Sequence, residues 1–471
     1  MPIGGENDGD RPLTVDNVTV TDPAIVKRAV GAAMIGNITE WFDFGVFASL
    51  QATIGEVFLT PAGETVQTIG TAILFMVAFT VRPFGGLFFG PLGDRIGRTK
   101  VLSITVLLMA GSTFIIALIP GYDTIGIAAP MLMVLARLLQ GFSTGGEYGG
   151  AMTFIAEYAP DKRRGFFGSF LEFGTCTGYL FGAIISLGVN FLPPDDLKSW
   201  GWRIPFLISG PIGIIGLYLR LKLEETPAFQ AVAKESEGRE GNQSLREIKT
   251  IFAKYWRAML VCMGVVIVFN VINYMVTTVM PAFFTDYNAP MAESHISEYL
   301  IIGVYIVILL IITQLGRLSD RIGRKPVMYA GCALAIVGGV PSVLLAKSHS
   351  VVLVGIGLFI MAIMLTCFNS TSPSTLPALF PTEIRYGGLA IAFNIAVSAF
   401  GGTTETVTLS LIHATGDTNW PGYYLMIAGV IGAVAVFFMK ESAGRPLPGS
   451  PPAAASREEA EELVQAVGGG R

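Results

Sequence analysis

Apolar residues in this chain run in stretches long enough to cross a bilayer, broken by short polar loops. A crossing helix needs about 20 largely apolar residues. Segments of that kind lie near 31–56, 66–91, 100–119, 127–157, 165–191, 203–221, 258–284, 297–317, 326–346, 350–379, 386–412 and 421–439. The pattern predicts an all-α membrane protein with about 12 transmembrane helices. Several segments exceed the minimum, so tilt or extension beyond the bilayer is expected. One long polar interruption, 222–256, divides the spans into two sets of six. The expected organisation is an N-terminal tail (1–26), a six-helix bundle (27–221), a linker (222–256), a second six-helix bundle (257–440) and a tail (441–471).

Basic residues in short loops set the orientation. The loops after the second, fourth, eighth and tenth spans hold Arg95, Arg98, Lys100, Lys162, Arg163, Arg164, Arg317, Arg321, Arg324, Lys325 and Arg385; the opposite loops hold Lys198, Arg203 and Lys347. Both termini and the linker are therefore expected on the cytoplasmic side of a cell membrane. Residues 1–25 are polar and acidic without a basic n-region, so the first span is expected to remain as an uncleaved anchor. The last stretch, with SREEAEELVQAV, is expected to be a solvated tail with at most a short helix.

Only 14% of residues are charged and 52% are hydrophobic, where soluble domains carry about a quarter charged residues. A cytosolic enzyme, a disulfide scaffold and a disordered chain are excluded. The net charge of −4 offers no footprint for nucleic acid. Cys176, Cys262, Cys332 and Cys367 sit in apolar stretches without metal-like spacing, as buried thiols do. No G-x-x-x-x-G-K-[ST], G-x-S-x-G or H-E-x-x-H occurs. No enzyme activity, metal or cofactor is expected; the lipid bilayer, protons and a small-molecule substrate are the expected partners.

An internal repeat is legible. GPLGDRIGRTK (90–100) recurs as GRLSDRIGRKP (316–326), and Pro160 with Arg164 recurs as Pro381 with Arg385. Two six-helix units in the same orientation place a substrate site between them, near mid-membrane. An Asp ending one helix, followed by Arg and a Gly turn, can cap a neighbouring helix N-terminus and pair with arginine. Asp94, Arg95, Arg98, Asp320, Arg321 and Arg324 are therefore read as a gating motif, outside the substrate site.

Two D-R-x-G-R motifs at matching positions of a 6+6 chain resemble the major facilitator superfamily. GNITEWFDFGVF (36–47), VRPFGGLFFGPLGDRIGR (81–98), QGFSTGGEYGGA (140–151), DKRRGFFGS (161–169), WGWRIPF (200–206), LEETPAF (223–229) and FPTEIRYGG (380–388) resemble its metabolite:proton symporter branch. Within that branch, YDTIGI (122–127), EETPAFQ (224–230), KYWRAML (254–260) and STLPALFPTEIRY (374–386) are most similar to the proline/glycine-betaine osmolyte symporters. The resemblance implies proton-driven uptake of a small metabolite by alternating access, with one chain as the functional unit.

Charged residues inside spans are expensive and mark function by default. Glu40, Asp43, Arg82, Arg137, Glu147, Glu172 and Glu405 are such residues. In the first span Asn37, Glu40, Asp43 and Phe47 share a face; in the fourth, Arg137, Gln140, Thr144 and Glu147 do. An Asp43–Arg137 pair that opens and closes would link proton binding to conformation. Asp43, Glu40, Arg137 and Glu147 are the proton-coupling candidates, although the glycines around Glu147 also fit close packing. Glu172 is expected near a gate. Arg82 precedes Pro83 and would either satisfy the freed carbonyl or meet an anion.

Trp41, Arg82, Gln140, Tyr148, Asn270, Asn273, Tyr274, Asn394 and Glu405 are the candidate substrate contacts. Glu405 departs from the osmolyte-symporter pattern. Five buried acids against two arginines favour a zwitterion such as proline or glycine betaine; the alternative is a mono- or dicarboxylate. Gly174, Gly178 and Gly182 form a small-residue packing stripe.

Overall fold

The structure is a computed structural model that describes residues 14–59, 64–221, 251–287 and 296–468. Linker residues 222–250, with the EETPAFQ block, lie outside the described residues. The first half holds α1 (Pro23–Ser49), α2 (Glu64–Ile96), α3 (Arg98–Leu118), α4 (Ala128–Tyr158), α5 (Arg164–Asn190) and α6 (Arg203–Leu221). The second half holds α7 (Trp256–Tyr274, continued through a wide π turn at Met275–Val279 into Met280–Tyr287), α8 (Ile296–Ile322), α9 (Arg324–Ala346) and α10 (Val351–Thr375). It is completed by α11 (Arg385–Ala396, then a π turn at Val397–Gly401 and Thr404–Thr415) and α12 (Trp420–Phe438).

Local chemistry sets the helix ends. Asp22 caps α1, its carboxylate accepting from Ala24 N at 2.7 Å, with Pro23 at the first helical position. The sharp turns α2–α3 and α8–α9 pass through Gly97 (φ 107°) and Gly323 (φ 102°). A side chain is strained in that conformation, which accounts for the glycine of both D-R-x-G-R copies.

Nine described helical spans are long and apolar enough to cross a membrane. α1, α4 and α6 are not among them; in α1 and α4 the buried Glu40, Asp43, Arg137, Gln140 and Glu147 lower the mean hydropathy. Large apolar residues such as Phe84, Leu107, Met131, Leu310, Val337 and Phe437 face outward, as lipid contact requires. Glycines let the helices approach each other. A Cβ on Gly178 of α5 would sit 2.6 Å from Ile38 O of α1, and one on Gly141 of α4 would sit 1.9 Å from Ala78 O of α2. The halves meet where α5 packs on α8 and α10, and where α2 and α4 pack on α11.

At the end of the bundle that carries the termini, β1 (Thr19–Val20) pairs in parallel with β2 (Ala453–Ala454), followed by α13 (Arg457–Gly468). Val18, Ala454 and Ala460 form a small core there. The expectation of a solvated tail is corrected for residues 441–455. Arg164 donates to Arg445 O (2.9 Å), Arg385 to Pro448 O (2.7 Å), Thr382 N to Pro448 O (3.1 Å), and Ala453 N to Asp161 Oδ2 (3.1 Å). Buried arginines of both halves need acceptors, and the tail backbone supplies them.

Candidate functional site

Four buried charged residues of the first half, Glu40, Asp43, Arg82 and Arg137, form two guanidinium–carboxylate pairs. Glu40 and Asp43 lie one turn apart on α1. Asp43 Oδ2 stands 3.4 Å from Arg137 Nη1 and accepts from Gln140 Nε2 at 2.8 Å. Gln140 also donates to Thr113 Oγ1 (2.8 Å) and accepts from Arg137 (2.9 Å). Arg82 Nη2 of α2 stands 3.5 Å from Glu40 Oε1. Aromatic rings cover both cations: Arg137 lies 4.1 Å from the Phe47 ring centre, and Arg82 lies 4.7, 4.9 and 5.6 Å from those of Phe79, Phe44 and Trp41. Each of these charged side chains is almost fully buried.

The second half closes over this centre. Tyr148 donates to Glu172 and packs at a 30° tilt on Phe393 of α11, with ring centres 4.5 Å apart. Asn394 donates to Gly145 O (2.6 Å), and Ser398 to Phe79 O (2.6 Å). Tyr274 packs edge-on to Phe79 at 5.5 Å, and Asn273 is hydrogen-bonded to Tyr179. Asn270 donates only one turn back, to Val266 O. Glu147 is buried on α4 beside Gly149, where a Cβ would come within 3.1 Å of Ala390.

Several buried polar atoms around this centre have no hydrogen-bond partner among the described residues: Trp41 Nε1, Arg82 Nε, the hydroxyls of Tyr274 and Thr277, and Asn369 Oδ1. Each such group costs about 1–3 kcal/mol when left unmade. These atoms lie on α1, α2, α7 and α10, and so come from both halves.

The remaining assignments sort clearly. Gln140 spends its amide inside the first half, between Asp43, Thr113 and Arg137. Glu405 is half-buried beyond the π turn of α11 and does not line the cavity described next. That cavity, of about 220 Å³, lies at the end away from the termini, between α1, α5, α7 and α8. Ser49, Tyr179, Asn190, Thr277 and Tyr305 line it. The Tyr179 and Tyr305 rings stack at 5.5 Å and 12°. Sequence reasoning missed this pair. Tyr179 could have been found on the α5 face of Glu172 and Cys176, whereas Tyr305, in an aliphatic span, gave no signal.

The termini-bearing end is closed by polar contacts in matched positions. Asp94 Oδ2 accepts from Gly387 N of α11 (2.7 Å), and Asp320 accepts from Gly165 N and Phe166 N of α5 (2.7 and 2.8 Å). Each Asp thus caps a helix of the other half. Asp94 also pairs with Arg98 (3.2 Å), and Asp320 with Arg324 (3.4 Å). Arg95 and Arg321 are exposed; one position after each Asp, they point about 100° away from the capping face.

Glu157, not singled out from the sequence, sits buried between Arg98 (3.3 Å) and Arg385 (2.7 Å). Glu441 closes the network by accepting from Arg324 N and Lys325 N. Burial pushes its carboxyl up, but backbone amides of Lys325, Ala443, Arg324 and Ser442 outweigh this and hold it below the usual carboxylate range.

Residues 29–452 match the family of sugar (and other) transporters. The proline/betaine transporter of Escherichia coli K12 is 45% identical over 96% of this chain and 91% of its own length. The glycine betaine/proline/ectoine/pipecolic acid transporter OusA of Dickeya dadantii is 45% identical over 97% and 91%. Among solved structures, the proton:xylose symporter XylE superposes with a TM-score of 0.73 over 94% of this chain and all of the other, at 21% identity; at that identity the likeness speaks for the fold.

Proposed function

Because this chain belongs to the sugar (and other) transporter family of the major facilitator superfamily, we propose that its polar centre carries out proton-coupled uptake of a small zwitterion of the proline and glycine-betaine class. The chain is a membrane transporter and not an enzyme. Its relatives are named for proline, betaine and ectoine, and the dicarboxylate alternative is not favoured.

The observation that carries the reading is the group of unpartnered polar atoms beside the Arg82–Glu40 pair. Arg82 is the natural holder of a substrate carboxylate, and the Trp41 and Tyr274 rings offer faces to an ammonium. Proton and substrate are then linked through one cation. While Glu40 is ionised, Arg82 is engaged. A proton on Glu40 releases the guanidinium to the incoming carboxylate and neutralises a charge that would otherwise be carried through the membrane. Asp43 and Arg137 form a second pair of the same kind, with Gln140 holding its geometry. The termini lie in the cytoplasm on this reading, so the structure is closed inward, and alternating access follows from rocking of the halves.

The test is uptake of labelled proline, glycine betaine, ectoine, citrate and 2-oxoglutarate into proteoliposomes, with and without an uncoupler. Uncoupler-sensitive accumulation of the zwitterions is expected. Accumulation of a dicarboxylate alone, or insensitivity to the uncoupler, refutes the reading.

A further inference from the structure

The rings of Tyr179 and Tyr305 belong to different halves of the molecule, on α5 and α8, yet they stack nearly parallel at 5.5 Å. Both are buried, at 6% and 3% exposure, although both border the cavity. The cavity's walls rise from them. On α1 it runs from Gly45 to Ser49, on α5 from Tyr179 to Asn190, on α7 from Thr277 to Pro281, and on α8 from Tyr305 back to Glu298. In every case the tyrosine level is the end nearer mid-membrane. The rings are therefore the floor of the cavity. Directly beneath, Trp41 lies 5.3 Å from Tyr179 and leads to Arg82 and Glu40.

We propose that Tyr179 and Tyr305 are a closing plate between the outer cavity and the polar centre, and that their faces select the ammonium end of an arriving zwitterion. The substrate part rests on the function proposed above; the plate does not. Three features support it. A stack with one ring from each half parts whenever the halves tilt, so it needs no separate hinge. Its seam is made of π faces, which attract alkylated ammonium groups. The charge order of the path also suits a zwitterion: the Glu298 carboxylate stands at the rim and the Arg82 guanidinium below the floor. A molecule that enters carboxylate-first leaves its ammonium against the tyrosines.

Cys176 gives a native reporter. It lies three residues before Tyr179, buried, towards the termini, and its thiol accepts from Asn369 at 3.7 Å. In a protein whose other three cysteines are replaced by serine, a membrane-impermeant thiol reagent is applied from the cavity side. Slow labelling is expected with both tyrosines present and with Tyr305→Phe. At least tenfold faster labelling is expected with Tyr305→Ala, or with Tyr305→Leu should the alanine variant not fold.

In uptake assays Tyr305→Leu should raise KM for glycine betaine about 2- to 30-fold, the range of one cation–π contact, while Tyr305→Phe leaves it unchanged. Unchanged labelling in a folded Tyr305→Ala or Tyr305→Leu protein overturns the plate. Unchanged KM for glycine betaine in Tyr305→Leu overturns the selecting role. If the unmodified tyrosine pair transports neither proline nor betaine, the transport reading fails, and labelling still decides the plate.

Discussion

Replacing Glu157 by Gln tests the closure at the termini-bearing end. The carboxylate is fully buried and faces two guanidiniums, Arg98 at 3.3 Å and Arg385 at 2.7 Å. Only the second contact crosses between halves, because Arg98 and Glu157 travel together on α3 and α4. A hydrogen bond to a charged group is worth about 1.5–3 kcal/mol and a neutral one about 0.5–1.5. Gln keeps the shape and one acceptor, so the closed state loses about 1–1.5 kcal/mol relative to the open one. That is a shift of about 5- to 12-fold towards opening.

A cysteine at Ser374 reports it: this residue is fully buried on α10, where a Cβ on Gly168 of α5 would stand 3.3 Å from its own. Thiol labelling from the cytoplasmic side should rise by the same factor in Glu157→Gln. It should stay constant in Glu56→Gln, which removes an exposed pair with Lys198 at the opposite end. Equal labelling in folded Glu157→Gln and parent protein would refute the reasoning.

Asp43→Asn should abolish accumulation against a gradient while exchange of labelled for unlabelled substrate persists; wild-type uphill uptake in that variant contradicts a coupling role. Asp94→Asn and Asp320→Asn each weaken a cap on the opposite half, at about 1–2 kcal/mol for the lost charge, so both should raise Ser374→Cys labelling with substrate affinity within about threefold. Ala453→Pro removes the amide that donates to Asp161 at 3.1 Å and should loosen the β1–β2 clip, seen as faster proteolysis within 441–455; unchanged proteolysis argues that the clip is held elsewhere. Gly97→Ala forces a side chain into φ 107° and should lower thermal stability by about 1–3 kcal/mol, measured as a drop in Tm with transport affinity retained.

Much of this architecture follows from the chain alone, because a bilayer admits few solutions. Every span must satisfy its own backbone bonds, so span number and the 6+6 division could be read from apolar run lengths. The D-R-x-G-R repeat and the Asp43–Arg137 pairing were legible because charge is rare in such spans and its spacing fixes the face. Tertiary packing decided which cation meets which carboxylate. Arg82 could have served the carbonyl freed at Pro83, and only the tertiary packing sets its guanidinium beside Glu40. Gln140 read as a cavity residue because its face is right, but α3 brings Thr113 to it and turns it inward. Glu157, Tyr305 and the docked tail were not legible, since Arg385, Tyr179 and Arg164, which tie them to the other half, lie more than a hundred residues away. A side chain's neighbours across a helix interface depend on rotation and crossing angle, which hydropathy does not encode.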